Sequence, residues 1–181
     1  MIQIDKTKPI MVTGATGYVA GWLVKKLLEE GCTIHAPIRN KEKLEKHAHL
    51  DIIAAENSGQ IKYFEADLLV PGSYDKAAEG CELVFHTASP FPSNYDNPQT
   101  DLIDPAVKGT LNVLESCKKF GVKRVILTSS MAAISDEPIT GYDFTEEDWN
   151  EKSNLDRNPY YFSKAEAERA AWKYAEENDA F

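Results

Sequence analysis

The sequence predicts an α/β fold in which helices cover both faces of a doubly wound parallel sheet. Short apolar runs alternate along the chain with longer segments of helical periodicity, which is the order of repeated β-α-β units. Several of these runs are almost continuously apolar, as strands buried on both faces require. A glycine-rich turn directly after the first run opens the first unit.

Five apolar runs predict the strands of this sheet, and the helical segments that link them imply right-handed crossovers. The runs are PIMVT, TIHAPI, IKYFEA, LVFHTA and RVILTSS. The predicted strands are 9–13, 33–38, 61–66, 83–88 and 124–130.

Helical patterns lie between these runs and after the last of them. The predicted helices are 18–30, 41–55, 73–80, 99–120 and 159–178. Residues 131–158 form a long, acidic and irregular connection, and connections of this length within a compact domain are usually functional or mobile. Because 181 residues suffice for one hydrophobic core, we expect a single domain over 1–181.

The charge distribution argues against several classes of partner. A net charge of −9 disfavours nucleic acid, because phosphate binding requires clustered lysine and arginine. Residues 136–181 carry 13 acidic and 5 basic side chains, which we interpret as a solvated surface. No apolar run is long enough to span a bilayer, and MIQIDKTKP lacks the apolar core of a signal peptide, so we expect a cytoplasmic protein without a membrane partner.

Neither cysteines nor histidines show the spacing of a disulfide framework or a metal site, so we expect no metal. The three cysteines, predicted to be reduced and mostly buried, are Cys32, Cys81 and Cys117. His47 and His49 lie in a charged helical segment and are predicted to be solvated. His86 lies in an apolar run and is predicted to be a core residue with a satisfied side chain.

The segment MVTGATGYVAG predicts a dinucleotide site of the Rossmann type. Gly14 permits a tight turn after the strand, Gly17 lets the backbone approach a pyrophosphate, and Ala20 allows close packing of helix on strand. The N-terminus of the helix offers free N–H groups and a partial positive charge to the phosphates. The expected contacts are Thr13, Gly14, Thr16, Gly17, Tyr18 and Val19.

The end of the second predicted strand indicates which dinucleotide is preferred. An NAD site usually has an acidic residue there to bind the ribose 2′-hydroxyl, but HAPIRN at residues 35–40 contains no carboxylate. Arg39 is suited to a 2′-phosphate, with Lys41 or Lys43 nearby. We therefore predict NADP(H) in preference to NAD(H), with Arg39 and Lys43 as contacts.

The ends of the third and fourth predicted strands supply further cofactor contacts. Asp67 and Leu68 follow the third strand, where the carboxylate could accept a hydrogen bond from the adenine amine. Thr87, Ala88 and Ser89 belong to HTASPF at the end of the fourth strand. Since ligands of open α/β sheets bind at the carboxyl ends of the strands, we expect these residues to lie along the cofactor.

The segment NPYYFSKAEAERAAW places Tyr160 and Lys164 one turn apart, with Asn158 as N-cap and Pro159 at the first helical position. A neighbouring ammonium and a helix N-terminus both favour a phenolate. Tyr-x-x-x-Lys is common by chance, so the pair needs a third group. LTSSM supplies serine hydroxyls for a carbonyl oxygen, and we expect all these groups to converge on one nicotinamide.

Taken together, these segments resemble the extended short-chain dehydrogenase/reductases of the epimerase/dehydratase superfamily. The resemblance is to the dihydroflavonol 4-reductase-like branch, which includes cinnamoyl-CoA reductases and yeast reductases of methylglyoxal and ketones. It extends over nearly all 181 residues. It rests on Arg39 and on VTGATGYVAGWLV, VFHTASPF, PAVKGTLNVLESC, RVILTSSMAA and YYFSKAEAERAAWKYAEEN.

The resemblance implies a role for each candidate catalytic residue, and it decides between alternatives that spacing leaves open. In the family the second serine of TSS polarises the carbonyl, which implies Ser130 and not Ser129. The tyrosine four residues before the lysine is the acid, which implies Tyr160 and not Tyr161. Lys164 then holds the ribose. Family dimers also imply a homodimer through the helices near 105–120 and 160–178.

The predicted function is an NADP(H)-dependent carbonyl reductase or alcohol dehydrogenase acting on a small ketone or aldehyde. Family members continue beyond this point into a C-terminal substrate domain, so we expect that domain to be missing and this chain alone to be inactive or nearly so. Two alternatives stay open. One is a nucleotide-sugar epimerase or dehydratase with retained NAD, and the other is an NADP-binding redox sensor without catalysis.

Overall fold

The computed structural model describes residues 5, 7–90 and 94–181, which divide into two compact units. The first, which we call the sheet unit, comprises the described residues up to Ala88 together with Asn112–Thr128 and Ala180–Phe181. The second, which we call the helical unit, comprises the described residues of Ser89–Leu111 and Ser129–Asp179.

The sheet unit contains a parallel sheet of five strands. They are β1 (Ile10–Thr13), β2 (Thr33–Ile38), β3 (Gln60–Glu65), β4 (Leu83–His86) and β5 (Arg124–Leu127). Their order is β3-β2-β1-β4-β5, and every neighbouring pair is parallel. The chain therefore winds outward from β1 in one direction and then in the other, which confirms the predicted doubly wound α/β fold.

Helices pack against both faces of this sheet. They are α1 (Tyr18–Glu29), α2 (Ala48–Ala55), α3 (Asp75–Ala78) and the part of α4 (Asp104–Lys119) that follows Leu111. Val12 of β1 lies in a core cluster with residues of α1, whereas its neighbour Met11 lies in a second cluster with Val113 of α4. Successive side chains of β1 thus pack on opposite faces of the sheet. Because helices cover both faces, apolar and polar residues do not alternate in PIMVT.

The helical unit contains a π-helical segment (Gln99–Ile103), the first half of α4, α5 (Met131–Ile134) and α6 (Pro159–Asn178). Helix α6 has the predicted bounds and contacts both α5 and the π-helical segment. The prediction that 131–158 is irregular throughout was wrong at its start. Ser130 caps the single turn of α5, and Ala132 and Ala133 are buried in the unit.

Other boundaries and environments differ in detail from the predictions. The fourth and fifth strands end at His86 and Leu127, earlier than predicted, and the predicted helix 41–55 is a 3₁₀ turn (Leu44–Lys46) followed by α2. His47, at the junction, was predicted to be solvated but is buried against the Tyr63 ring, at 4.4 Å between centroids.

The predicted burial of all three cysteines is confirmed. Phe91, the last residue of HTASPF, lies outside the described residues. Among the helices that the structure describes, none combines the length and the apolar character that a membrane span requires.

Candidate functional site

The glycine turn of the sheet unit follows β1 directly and leads into α1. Gly14 has φ +67°, a left-handed conformation that side chains disfavour, and Gly17 is the N-cap of α1. The Gly17 N–H donates to the Gly14 carbonyl at 2.8 Å. A Cβ atom at Gly14 would lie 3.0 Å from the backbone of Ala88, and one at Gly17 would lie 3.2 Å from the Gly14 carbonyl oxygen. A side chain at Gly14 would therefore meet both a left-handed backbone and close backbone neighbours, whereas one at Gly17 would meet a single tight contact.

The N-terminus of α1 is open to a ligand. Tyr18 and Val19 are strongly exposed, at 83% and 65%, while Ala20 packs into the core as predicted. The first turn contains no acidic residue, and its N–H groups have no acceptor within the helix itself. Thr16, Gly17 and Tyr18 also line the end of a groove of about 390 Å³. This surface fits an anionic group such as a pyrophosphate.

Thr13 joins the carboxyl ends of β1 and β4, which are the neighbours at which the winding of the sheet reverses. Its buried hydroxyl shares a hydrogen bond of 2.8 Å with His86 Nδ1 and accepts one of 3.0 Å from the Ala88 N–H. Its carbonyl accepts a hydrogen bond from the Thr87 hydroxyl. His86 is therefore a hydrogen-bonded core residue, as predicted. The Thr13 side chain has a structural role, and its predicted contact with a cofactor stays a prediction.

The basic residues predicted to select the dinucleotide lie just beyond β2. Arg39 is the first residue after β2, and its side chain is exposed. Lys43 directly precedes the 3₁₀ turn and is also exposed. Lys41 Nζ lies 6.0 Å from the centre of the Phe64 ring, so that lysine covers an aromatic face. Arg39 and Lys43 are thus exposed beyond the carboxyl end of β2, and their contact with a 2′-phosphate stays a prediction.

Asp67 and Leu68 follow β3, and a side chain that sequence reasoning missed fixes the loop that contains them. Asn112 Nδ2 donates to the carbonyls of Leu68 and Val70, at 3.1 and 2.8 Å. Its Oδ1 accepts from the Gly72 N–H at 2.9 Å. The side chain of Asp67 itself caps the Leu69 N–H at 2.9 Å. Asn112 belongs to PAVKGTLNVLESC, but no local feature of that segment indicates that its side chain binds the loop after β3.

Ser130 lies in the helical unit at the N-cap of α5. Its backbone is extended, and its Oγ accepts a hydrogen bond of 3.2 Å from the Ala132 N–H. Because this contact uses a lone pair, the hydroxyl proton can be donated to another acceptor. Ser129 has a different partner, since its hydroxyl donates to the carboxylate of Glu168 on α6.

Tyr160 and Lys164 lie one turn apart in the first two turns of α6. Both are half-buried, whereas Tyr161, whose ring packs edge-on against Tyr160, is more exposed. Lys164 Nζ donates to Ser89 Oγ at 3.3 Å. Burial lowers the pKa of Lys164, and the charge of Glu168 opposes that effect. The ammonium is therefore held in position at a partly dehydrated site.

The segment before α6 is anchored by Asp136, whose side chain has no exposed surface. The carboxylate accepts hydrogen bonds from Ser153 Oγ, from Asn158 Nδ2 at 2.8 Å and from Arg157 Nε at 2.8 Å. Asn158 is at the N-cap position as predicted, but its side chain binds Asp136 and not the helix, and its φ is +49°. Asp136 thus fixes the residues that lead into Tyr160.

The predicted residues fall into two groups. The helical unit contains Ser89, Ser130, Tyr160 and Lys164. The sheet unit contains the predicted dinucleotide contacts Thr13, Gly14, Thr16, Gly17, Tyr18, Val19, Arg39, Lys43, Asp67, Leu68, Thr87 and Ala88. Their convergence on one nicotinamide stays a prediction.

Comparison with known proteins places these features in a family. The chain matches the model of the NAD dependent epimerase/dehydratase family over residues 10–181. It is 45% identical over 179 residues to cinnamoyl-CoA reductase CAD2 of Medicago truncatula, which covers 94% of this chain and 54% of that protein. It is 39% identical over 180 residues to anthocyanidin reductase of Arabidopsis thaliana, which covers 95% of this chain and 52% of that protein.

Solved structures give the same result. Yeast methylglyoxal/isovaleraldehyde reductase Gre2, complexed with NADPH, superposes with a TM-score of 0.81 at 32% identity and covers 94% of this chain and 54% of its own. Vestitone reductase from alfalfa (Medicago sativa) superposes with a TM-score of 0.72 at 32% identity, covering 96% of this chain and 54% of its own. The chain spans about half the length of the relatives that it matches.

Proposed function

The chain belongs to the NAD dependent epimerase/dehydratase family. From this premise we propose that it is part of an NADP(H)-dependent oxidoreductase that interconverts a ketone or aldehyde with an alcohol. One observation carries the proposal. Ser130, Tyr160 and Lys164, the groups that proton transfer to a carbonyl oxygen needs, all lie in the helical unit. The names of the relatives, which are reductases, support the same class of reaction.

The sheet unit supplies the residues that would hold the cofactor. The glycine turn and the N-terminus of α1 suit its pyrophosphate, because the first N–H groups of α1 have no acceptor within the helix and Gly17 leaves the backbone there without a side chain. Arg39 suits a 2′-phosphate, and the end of β2 has no carboxylate to bind a free 2′-hydroxyl. When bound, the nicotinamide supplies or accepts the hydride.

The residues of the helical unit would manage the proton and the carbonyl oxygen. Ser130 accepts the Ala132 N–H and so has its own proton to donate to that oxygen. Tyr160 delivers a proton as negative charge develops on the oxygen during reduction, and accepts one during oxidation. Lys164, held by Ser89, would bind the ribose and supply a positive charge on the same helix as the group that transfers the proton.

Replacement of Tyr160 tests this proposal, and replacement of the adjacent Tyr161 provides the control. Turnover is measured on a chain that also includes the C-terminal substrate domain of the family, because residues 1–181 alone are expected to be inactive or nearly so. There we expect Tyr160→Phe to lower the rate of NADPH oxidation on a panel of aldehydes and ketones by about 10²–10⁴-fold, the usual contribution of a general acid. The affinity for NADPH, measured by titration, should change little. Tyr161→Phe is the matched control and should retain the rate.

Three results would contradict the proposal, and they differ in what they favour. Turnover that persists in Tyr160→Phe would remove the assigned acid. Retention of tightly bound NAD through purification, together with no turnover on the panel, would favour an epimerase or dehydratase. Binding of NADPH without turnover of any substrate would favour a sensor.

We also propose that two copies of the chain associate through α4 and α6. Trp172 on α6 is 60% exposed and therefore offers apolar surface that a second copy could cover. Sedimentation of the protein should give a dimer, and Trp172→Glu should give a monomer. Trp22→Glu is the control, because Trp22 is 56% exposed on α1 and lies outside the proposed contact. A dimer that survives Trp172→Glu would exclude this face.

A further inference from the structure

We infer that Glu168 is a positioning residue of the proposed reaction, which anchors Ser129, and with it Ser130, to α6 and places its carboxylate one helical turn from Lys164. The inference rests on the proposed function for its catalytic meaning. Its structural basis is independent of that function, because all four residues lie in the helical unit. Two observations carry it: the hydrogen bond from Ser129 to Glu168, and the position of the Glu168 carboxylate one turn from Lys164 on the same helix.

The first contact joins two segments that are distant in sequence. The Ser129 hydroxyl donates to the Glu168 carboxylate, across 39 positions of the chain. Ser130 is the next residue and is held on its other side by the Ala132 N–H. The serine assigned to the carbonyl oxygen is therefore fixed from both directions, first by α6 and then by α5. Loss of the Glu168 contact would release one of these two restraints.

The second observation concerns the charge of Glu168, which acts on Lys164 along α6. Glu168 follows Lys164 by one turn, where side chains on the same helical face are neighbours. Burial favours the neutral amine and lowers the pKa of Lys164, whereas the negative charge of Glu168 raises it. The group that meets Lys164 from the segment preceding the π-helix is the hydroxyl of Ser89, which is neutral. Tyr160, one turn earlier on α6, is the titratable partner in the proposed reaction.

Two substitutions at Glu168 separate the anchor from the charge. Glu168→Gln keeps an oxygen that can accept from Ser129 but removes the negative charge. Glu168→Ala removes both the acceptor and the charge. Glu176→Ala is the matched control, because Glu176 is an exposed glutamate near the other end of the same helix.

The experiment measures each property in the free protein by NMR. Titration of the Lys164 side chain should give a lower pKa in both Glu168 variants and a wild-type pKa in Glu176→Ala. The amide resonances of Ser130 and Ala132 should shift in Glu168→Ala and stay near their wild-type positions in the other two variants. Neither readout depends on turnover, so it distinguishes failure of this inference from failure of the proposed function.

Kinetics then test the consequence for the reaction. In a chain that also includes the C-terminal substrate domain of the family, Glu168→Ala should lower kcat by about tenfold with little change in KM for NADPH, since misplacement of a reacting group affects the transition state more than cofactor binding. Glu168→Gln should recover part of that loss. The inference is overturned if Lys164 titrates as in the wild type in both variants, or if the Ser130 and Ala132 amides are unmoved in Glu168→Ala.

Discussion

Gly14 and Ala88 approach so closely that the structure has no space for a side chain between the ends of β1 and β4. A Cβ atom at Gly14 would lie 3.0 Å from both the amide nitrogen and the Cα atom of Ala88. The neighbouring atoms are backbone, which cannot move aside as a flexible side chain can. The Thr13 hydroxyl links the same two segments by accepting a hydrogen bond from the Ala88 N–H. The close approach is therefore stabilised by this hydrogen bond as well as by the pairing of β1 with β4.

Gly14→Ala should therefore destabilise the protein and abolish NADPH binding. Gly121→Ala is the matched control, because Gly121 has almost the same φ, +68° against +67°, but no atom within 4 Å of its Cβ position. The left-handed backbone alone costs about 1–2 kcal/mol per substitution. Urea unfolding should show that loss for Gly121→Ala and a larger loss for Gly14→Ala. Equal losses, with NADPH titrating normally in both, would show that the close approach is unimportant.

Arg39 provides a test of cofactor preference that does not require turnover. We expect Arg39→Ala to weaken NADPH binding by about 1–3 kcal/mol, the range for a lost hydrogen bond to a charged group, and to leave NADH binding unchanged. Arg124→Ala is the control, because Arg124 is also exposed but lies at the amino end of β5. Fluorescence titration with both cofactors measures the difference. Equal weakening of NADPH and NADH by Arg39→Ala would remove the 2′-phosphate contact.

The loop after β3 should depend on Asn112 for its conformation. Asn112→Ala removes the donors to the carbonyls of Leu68 and Val70 and the acceptor for the Gly72 N–H. We expect a loss of about 1–3 kcal/mol in the free energy of unfolding, since several backbone groups lose their partner together. Glu115→Ala, at an exposed position of α4, should cost much less in the same urea titration. Equal losses of unfolding free energy in the two variants would show that the loop keeps its conformation without Asn112.

The sheet and the glycine turn could be predicted from the sequence because their causes are local. Strand β1 is apolar from Ile10 to Val12 because Met11 and Val12 pack into cores on opposite faces of the sheet, and the sequence shows this burial as an apolar run. Close neighbours favour glycine at positions 14 and 17. The sequence shows this requirement directly, because both glycines lie between a predicted strand and a predicted helix. The start of α6 followed likewise from Pro159 at its first position.

Other features depend on contacts between distant residues and left no local pattern. Helix α5 is one turn long, and its stability comes from the Ser130 cap and from burial of Ala132 and Ala133. His47 is buried because Tyr63 of β3 packs against it, although its neighbours in sequence are charged. Asn112 acts on carbonyls more than 40 positions earlier. Only the fold brings such partners together, so composition and periodicity could not reveal them.

Asp136 should make the helical unit sensitive to acid. Hydrogen bonds from Ser153 and Asn158 hold the pKa of its carboxyl at about 2, below its ordinary value. Because the folded state favours the charged form, the stabilisation is complete above the pKa of the unfolded chain, ~3.9, and is lost as the pH falls toward 2. Asp136→Asn should therefore lower the melting temperature at pH 7, and the difference from the wild type should shrink below pH ~4. Asp156→Asn, an exposed change in the same loop, should leave the melting temperature unaltered at both pH values. A difference between Asp136→Asn and the wild type that is constant from pH 7 to pH ~2 would show that ionisation of this carboxylate does not stabilise the unit.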